Sequence, residues 1–212
     1  MVKGFSLSIQ MHLELVVVGK VLHYKKVISM NKIPLGEKTY CYEEFITKDE
    51  QDELYKWVFN SFPWMNFANP CNDEEDQIEN PVRHFARIDL LPTIPPLFWD
   101  VHDKIVELEG INPVIEAPQN GHWVGLTGKE ARVEPHTDWN GEEEGWYCRR
   151  YNLLVSLPTE GGQPLYGGEV LNVKERMLWR CDAGLIEHSS IPNKGNTLRA
   201  NISFGFLIPV EK

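Results

Sequence analysis

His136 and Asp138 stand two residues apart in the run Pro135-His136-Thr137-Asp138. On an extended strand, side chains at i and i+2 share a face, roughly 7 Å apart at Cα; on a helix they diverge. If the pair serves one ion, the segment is therefore a strand. His188 follows after 49 intervening residues, and Arg199-Ala200-Asn201 after ten more. From Trp123 onward the chain reads as short apolar strands separated by turns, which suits an all-β jelly roll or barrel. Strands are predicted near residues 123–126, 133–138, 150–157, 168–173, 177–181, 186–189 and 197–207.

Two imidazoles and one carboxylate make the facial triad of non-haem Fe(II) chemistry, which leaves the other coordination positions open. Zinc accepts the same ligands, but zinc hydrolases commonly carry them in an H-E-x-x-H run on a helix, and this chain has none. Strand-borne His-x-Asp favours iron. Asp100 and His102 share the i, i+2 spacing. They fall on a predicted helix, where that spacing points them apart.

Upstream of Trp123 the signals are helical. Thr47-Lys48-Asp49-Glu50 has the form of a capping box, with Leu54, Trp57, Val58 and then Phe62 or Trp64 continuing an apolar face. Pro95-Pro96 opens a second helix that Gly110 closes, with Phe98, Val101, Ile105 and Leu108 as its buried stripe. A strand is expected over 82–91 and an exposed loop over 66–80. Residues 5–9 and 16–24 read as one or two strands, and Met30 offers an alternative first residue to Met1. The 212 residues suit one domain, with 1–120 supporting a core over 121–212.

The net charge of −10 and the pI of about 5.2 argue against non-specific binding to nucleic acid or to an anionic membrane surface. The apolar run Leu13–Val18 is too short to span a membrane and is interrupted by Glu14. Cys41, Cys71, Cys148 and Cys181 form no C-x-x-C pair, so free thiols in a reducing, cytoplasmic setting are expected. Composition says nothing about oligomeric state.

The ordered set His136-x-Asp138, His188, Arg199-x-Asn201 resembles the Fe(II)/2-oxoglutarate-dependent dioxygenases. Between its members, Arg150 to Leu157 followed by Tyr166-Gly167-Gly168-Glu169-Val170 resembles the prolyl-hydroxylase-like branch of that superfamily. The likeness spans about Trp123 to Ile208. It implies a mainly β, α+β architecture: a double-stranded β-helix (jelly-roll, cupin-like) core with N-terminal helices. It also implies Fe(II) held by His136, Asp138 and His188, with 2-oxoglutarate and O₂ as cosubstrates and ascorbate as a supporting reductant.

Arg199 is then the clamp for the far carboxylate of 2-oxoglutarate, a task that suits an always-charged, forked donor. Asn201 supports it from the same strand face. Tyr151 and Asn152 are further candidates for cosubstrate contact, though only one of the two can face a pocket. Leu126 stands where many members have Tyr. Retention of the Asp138 carboxylate favours hydroxylation over halogenation.

A protein or peptide side chain such as proline is the implied substrate, with a free amino acid or small metabolite next. Nucleic-acid-demethylating relatives have a second arginine six residues after the first, where this chain has Gly205. A cupin-like protein that holds a metal or small acid without turnover is the reading from another class. Trp139 to Trp146, with Glu142, Glu143 and Glu144 between two glycines, reads as a lid favouring a cationic substrate.

Overall fold

The structure is a computed structural model that describes residues 10–18, 21–68, 83–111, 121–138 and 145–210. In chain order its elements begin with β1 (Gln10–Val18), β2 (Val21–Ser29), β3 (Ile33–Pro34), β4 (Tyr40–Tyr42) and helix α1 (Lys48–Asn60). Next come β5 (Asn66–Ala68), β6 (Arg83–Arg87), helix α2 (Pro96–Glu109) and β7 (Trp123–Thr127). The C-terminal part holds β8 (Trp146–Ser156), β9 (Pro164–Tyr166), β10 (Glu169–Val170), β11 (Leu178–Cys181), β12 (His188–Ser190) and β13 (Arg199–Pro209). Eight strands form one antiparallel sheet in the order β3-β4-β11-β8-β13-β7-β6-β5. A smaller sheet has the order β10-β9-β12, and β1 pairs with β2 as a separate hairpin.

Both helices end where their capping residues dictate. Thr47 Oγ1 accepts the Glu50 amide at 3.3 Å, and the Glu50 carboxylate accepts the Thr47 amide at 2.6 Å, closing the capping box of α1. Pro96 opens α2, and Gly110, at φ 62°, closes it in the left-handed region. Leu54, Trp57 and Val58 of α1 and Phe98, Val101 and Ile105 of α2 bury one helical face each. They meet Val124, Leu126, Tyr151, Leu153, Ile202, Phe204 and Phe206 on the outer face of the large sheet. Each large side chain so buried contributes about 1.5–3 kcal/mol. Phe98 stacks on Phe204 with centroids 4.8 Å apart. A second core lies between the sheets and includes Leu154, Tyr166, Leu171, Met177, Trp179 and Cys181.

Period-two alternation sorts the residues of the large sheet. Ala200, Ile202 and Phe204 of β13 go to the helical side, so Arg199, Asn201 and Ser203 face the opposite side. On β8, Tyr151 and Leu153 go to the helices and Arg150 and Asn152 face away. On β7, Val124 and Leu126 are core while Trp123, Gly125 and Thr127 face the cavity.

Several expected elements differ. Residues 133–138 form no regular strand; His136 makes a single bridge to His188, and the neighbouring bonds of Ala131, Val133 and Asp138 to Asn193, Ser190 and Ala183 are too unevenly spaced for a ladder. Residues 16–24 fall on two paired strands, with Val18 opposite Val21. The expected 82–91 strand stops at Arg87, where Ile88–Leu90 tighten into a 3₁₀ turn. Phe62 and Trp64 lie past the end of α1 in another 3₁₀ turn and stay exposed. The 168–173 strand shortens to β10 because Gly167 and Gly168 adopt positive φ and turn the chain. Part of the predicted 66–80 loop, Asn66–Ala68, is an edge strand. Residues 5–9, 69–82 and the 139–144 part of the acidic loop lie outside the described residues. Among the described residues, Cys41, Cys148 and Cys181 are buried and in no disulfide. Among the described residues, no helix is long and apolar enough to cross a membrane.

Candidate active site

His136, Asp138 and His188 converge on one point, with one ligand atom from each within 4.8 Å of the others. His136 Nε2 lies 3.4 Å and His188 Nε2 3.7 Å from Asp138 Oδ1. Backbone bonds fix this geometry in place of a strand ladder. The His136 amide donates to the His188 carbonyl at 3.1 Å, and the reverse bond is 2.9 Å. The Asp138 amide donates to the Ala183 carbonyl at 2.8 Å. The i, i+2 prediction therefore holds for side-chain direction, although the supporting strand is absent.

Both histidines have their tautomer set by the backbone. His136 Nδ1 is 2.7 Å from the Glu134 carbonyl, and His188 Nδ1 is 3.2 Å from the Ile186 carbonyl. A carbonyl only accepts, so each Nδ1 carries a proton; His188 Nε2 then presents a lone pair inward, and His136 Nε2, which faces Asp138, does so once its second proton is lost. Burial, together with the charge of His136, draws His188 down to about 4, which keeps it neutral and free to bind a metal. His136 is instead raised by its bond to Asp138, against burial.

Asp138 divides its oxygens. Oδ1 faces the histidines, and Oδ2 accepts from Arg150 Nε. Arg150 is pinned in turn by the Gly121 carbonyl at 3.1 Å. Burial works to raise the Asp138 carboxyl, but the bond to His136 and the charges of Arg150 and His188 outweigh it. The group stays ionised well below the usual carboxylate range. Cys148 Sγ also reaches Oδ2, at 3.7 Å, and burial pushes that thiol up to about 12, so it remains a neutral donor. Arg150 was not among the residues singled out from sequence. Its signal was the alternation on β8, which places it on the face of Asn152.

The triad opens into a cavity of about 280 Å³ between the two sheets. This is near the small end of ligand sites, which run roughly 300–1,000 Å³. Arg199 reaches it from the start of β13 and is 5% exposed. Its Nη1 donates to Asn201 Oδ1 at 3.3 Å, and its Nε has no partner. Burial and repulsion from Arg83 lower its pKa to about 10, so it is charged at neutral pH. The indole N–H groups of Trp123 and Trp179, also on the cavity wall, are buried and without partners as well. Three residues that line one cavity thus each carry a buried donor without a partner, and an unsatisfied buried donor costs about 1–3 kcal/mol.

Asn152 and Asn201 line the cavity. Tyr151 does not. It is buried on the helical face of the sheet, where its hydroxyl donates to Glu109 at 3.1 Å, so its proposed role in cosubstrate binding is corrected to a structural one. Tyr40 and Tyr42 donate to the same carboxylate. His122 also lies on the helical side, against Phe98, and its Nδ1 accepts the Gly205 amide at 3.2 Å. Leu126 is a core residue, so the departure from Tyr there removes no cavity contact. The cavity-facing neighbour is Gly125, where a Cβ would stand 3.2 Å from Asn201 Oδ1 and crowd the amide beside Arg199.

No family model matches the chain, and no curated protein matches it by sequence. Solved structures do match. A prolyl-4-hydroxylase from Pseudomonas putida aligns at TM-score 0.55 and 13% identity, covering 82% of this chain and 93% of that one. HygX from Streptomyces hygroscopicus, with nickel, 2-oxoglutarate and hygromycin B bound, aligns at 0.54 and 9%, covering 79% and 82%. A prolyl hydroxylase from Trichoplax adhaerens, in complex with a hypoxia-inducible-factor peptide fragment, aligns at 0.53 and 12%, covering 79% and 82%. Over about four fifths of its length, the chain thus shares the jelly-roll fold of these oxygenases.

Proposed function

We propose that this protein is an Fe(II)- and 2-oxoglutarate-dependent dioxygenase that hydroxylates a C–H bond. The observation that carries the reading is the presence, in one cavity, of an inward-facing His-Asp-His set and a buried arginine without a counter-ion. An uncompensated buried charge is costly, by about 3–5 kcal/mol when a partner is removed. Arg199 therefore fits a site that an anion completes. His136, Asp138 and His188 would hold Fe(II), and Arg199 the far carboxylate of 2-oxoglutarate, with Asn201 steadying the guanidinium. When bound, metal and cosubstrate supply the activation of O₂, with release of succinate and CO₂.

The chain's own part is to bind, orient and shield. Arg150 fixes the rotation of Asp138, so the carboxylate presents Oδ1 to the site. The backbone carbonyls of Glu134 and Ile186 hold both imidazoles in the ligating tautomer. Trp123 and Trp179 wall off water and present donors to whatever oxygen atoms enter.

A protein or peptide side chain, with proline the leading candidate, is the substrate suggested by the likeness to prolyl hydroxylases, one of them crystallised with a peptide. A free amino acid or small metabolite is the second reading, favoured by the modest size of the cavity.

The test is an assay with Fe(II), ascorbate and 2-oxoglutarate. Parent protein should release succinate and CO₂, and Asp138→Ala should release neither. Proline-containing peptides should raise the rate and gain one oxygen atom. A parent protein that binds Mn(II) and 2-oxoglutarate yet never releases succinate would instead be a cupin-like binding protein, and the enzyme reading would fall.

A further inference from the structure

Arg83 lines the cavity but has no task in holding metal or 2-oxoglutarate. It opens β6 and stands opposite Thr127 on β7; on the far side of β7, Thr127 stands opposite Arg199. Arg83, Thr127 and Arg199 thus form one row across the sheet and line the same cavity. Strands lie about 4.8 Å apart, which puts the two arginines roughly 10 Å apart at Cα. Among the described residues, no carboxylate stands within ion-pair distance of Arg83. Its guanidinium lies over the ring of Phe85, 5.0 Å from the centroid, and Phe85 packs on Trp123 at 5.6 Å. The Trp123 indole N–H is one of the orphaned donors. Among the described residues, this flank of the cavity therefore offers a cation without a direct ion pair, an aromatic wall and an indole N–H without a partner.

The charge balance points the same way. Asp138 pairs with Arg150 and Glu134 with Arg132; both carboxylates attract Arg83 only from beyond ion-pair distance, so among the described residues Arg83 and Arg199 are the cavity arginines without an ion pair. A divalent metal and a dianionic cosubstrate cancel between themselves. The loaded cavity still carries excess positive charge, focused by low-dielectric walls.

We propose that Arg83 anchors an anionic group of the substrate, a carboxylate or a phosphate, whose apolar body lies along Phe85 and Trp123. The proposal rests on the oxygenase reading and narrows its substrate class. It favours a small acid, or a residue presented beside an acidic group, over a cationic peptide. Its sign is opposite to the expectation drawn from Glu142, Glu143 and Glu144, which lie outside the described residues.

Calorimetric titration of the full-length protein, loaded with Mn(II) and 2-oxoglutarate under argon, tests it. Matched probes are benzoate against benzamide and N-acetylproline against N-acetylprolinamide, with inorganic phosphate as the other anion arm. Charge-assisted contacts are worth about 1.5–3 kcal/mol, so at least one anion should bind about tenfold or more tighter than a neutral partner. The carboxylate and phosphate arms tell the two sources apart. Arg83→Gln should abolish the preference and Arg83→Lys should restore part of it, with 2-oxoglutarate affinity within about twofold of the parent in both. Equal binding of anions and amides by the parent overturns the proposal, as does a preference that survives Arg83→Gln. Loss of 2-oxoglutarate binding in both variants also overturns it, because Arg83 would then belong to the cosubstrate site. Failure of the parent to bind 2-oxoglutarate sinks the oxygenase reading separately, whereas equal probe affinities sink only the role of Arg83.

Discussion

Asp138 has two oxygens with different partners, and that division organises the site at the residue scale. Oδ1 is turned to the histidines and Oδ2 is held by Arg150. The sequence marked Asp138 through its spacing, but not the residue that holds it. A partner twelve positions away, on β8, leaves no local pattern, whereas two side chains on one extended segment do. Partners of this kind typically set metal affinity by about 10–100-fold. Arg150→Leu is therefore expected to weaken Mn(II) binding by that factor with all three ligands intact, as read by calorimetry. Unchanged affinity would show that Asp138 needs no support.

Arg199→Leu should act on the other ligand. Affinity for 2-oxoglutarate should fall roughly a hundredfold or more, for a lost buried charge contact of about 3–5 kcal/mol, while Mn(II) affinity stays near the parent value. An unaltered Michaelis constant for 2-oxoglutarate would remove Arg199 from the clamp role. Tyr151 shows where sequence reading failed at this scale. Tyr151 and Asn152 are adjacent and both able to hydrogen-bond, and only packing against α2 shows which one faces the helices.

At the scale of elements, helix ends were the most legible features because their causes are local. Thr47, Glu50, Pro96 and Gly110 each satisfy a backbone need within a few residues of themselves. Thr47→Ala should cost about 1 kcal/mol, and chemical denaturation should show a lower midpoint with an unchanged slope. A midpoint equal to the parent's would mean that the reciprocal bonds of the capping box contribute nothing net. The segment carrying His136 and Asp138 shows the reverse case. Its extended form was predicted from chemistry, yet its anchors are carbonyls of Ala183 and His188, about fifty residues on. Strand propensity cannot register such support. The short β9, β10 and β12 were blurred for a related reason: ladders of two or three residues are set by their partners rather than by their own composition.

For the whole molecule, the large sheet decides function by its faces. One face packs against two helices and supplies stability; the other carries Arg83, Arg150, Asn152, Arg199 and Asn201 into a common cavity. The motif order indicated the class of fold, but the strand order could not be read from it, since β13 lies between β7 and β8 only through long-range pairing. A ligand that binds the folded state alone at about 100 times its Kd adds about 2.7 kcal/mol, worth roughly 5–11 °C for a chain this size. Mn(II) with 2-oxoglutarate should raise the melting temperature by that order in the parent, and much less in a His136→Ala/His188→Ala variant. Equal shifts in both would place binding elsewhere.

The most direct measurement is titration of 2-oxoglutarate into the protein with and without Mn(II), in parent and Asp138→Ala. If metal and Arg199 grip opposite ends of one small diacid, binding should be tight only in the parent with Mn(II) present. It should weaken by about tenfold or more when either the metal or the Asp138 carboxylate is removed. Binding of equal strength with and without metal, or in Asp138→Ala, would contradict the assignment of this cavity as an Fe(II)/2-oxoglutarate site.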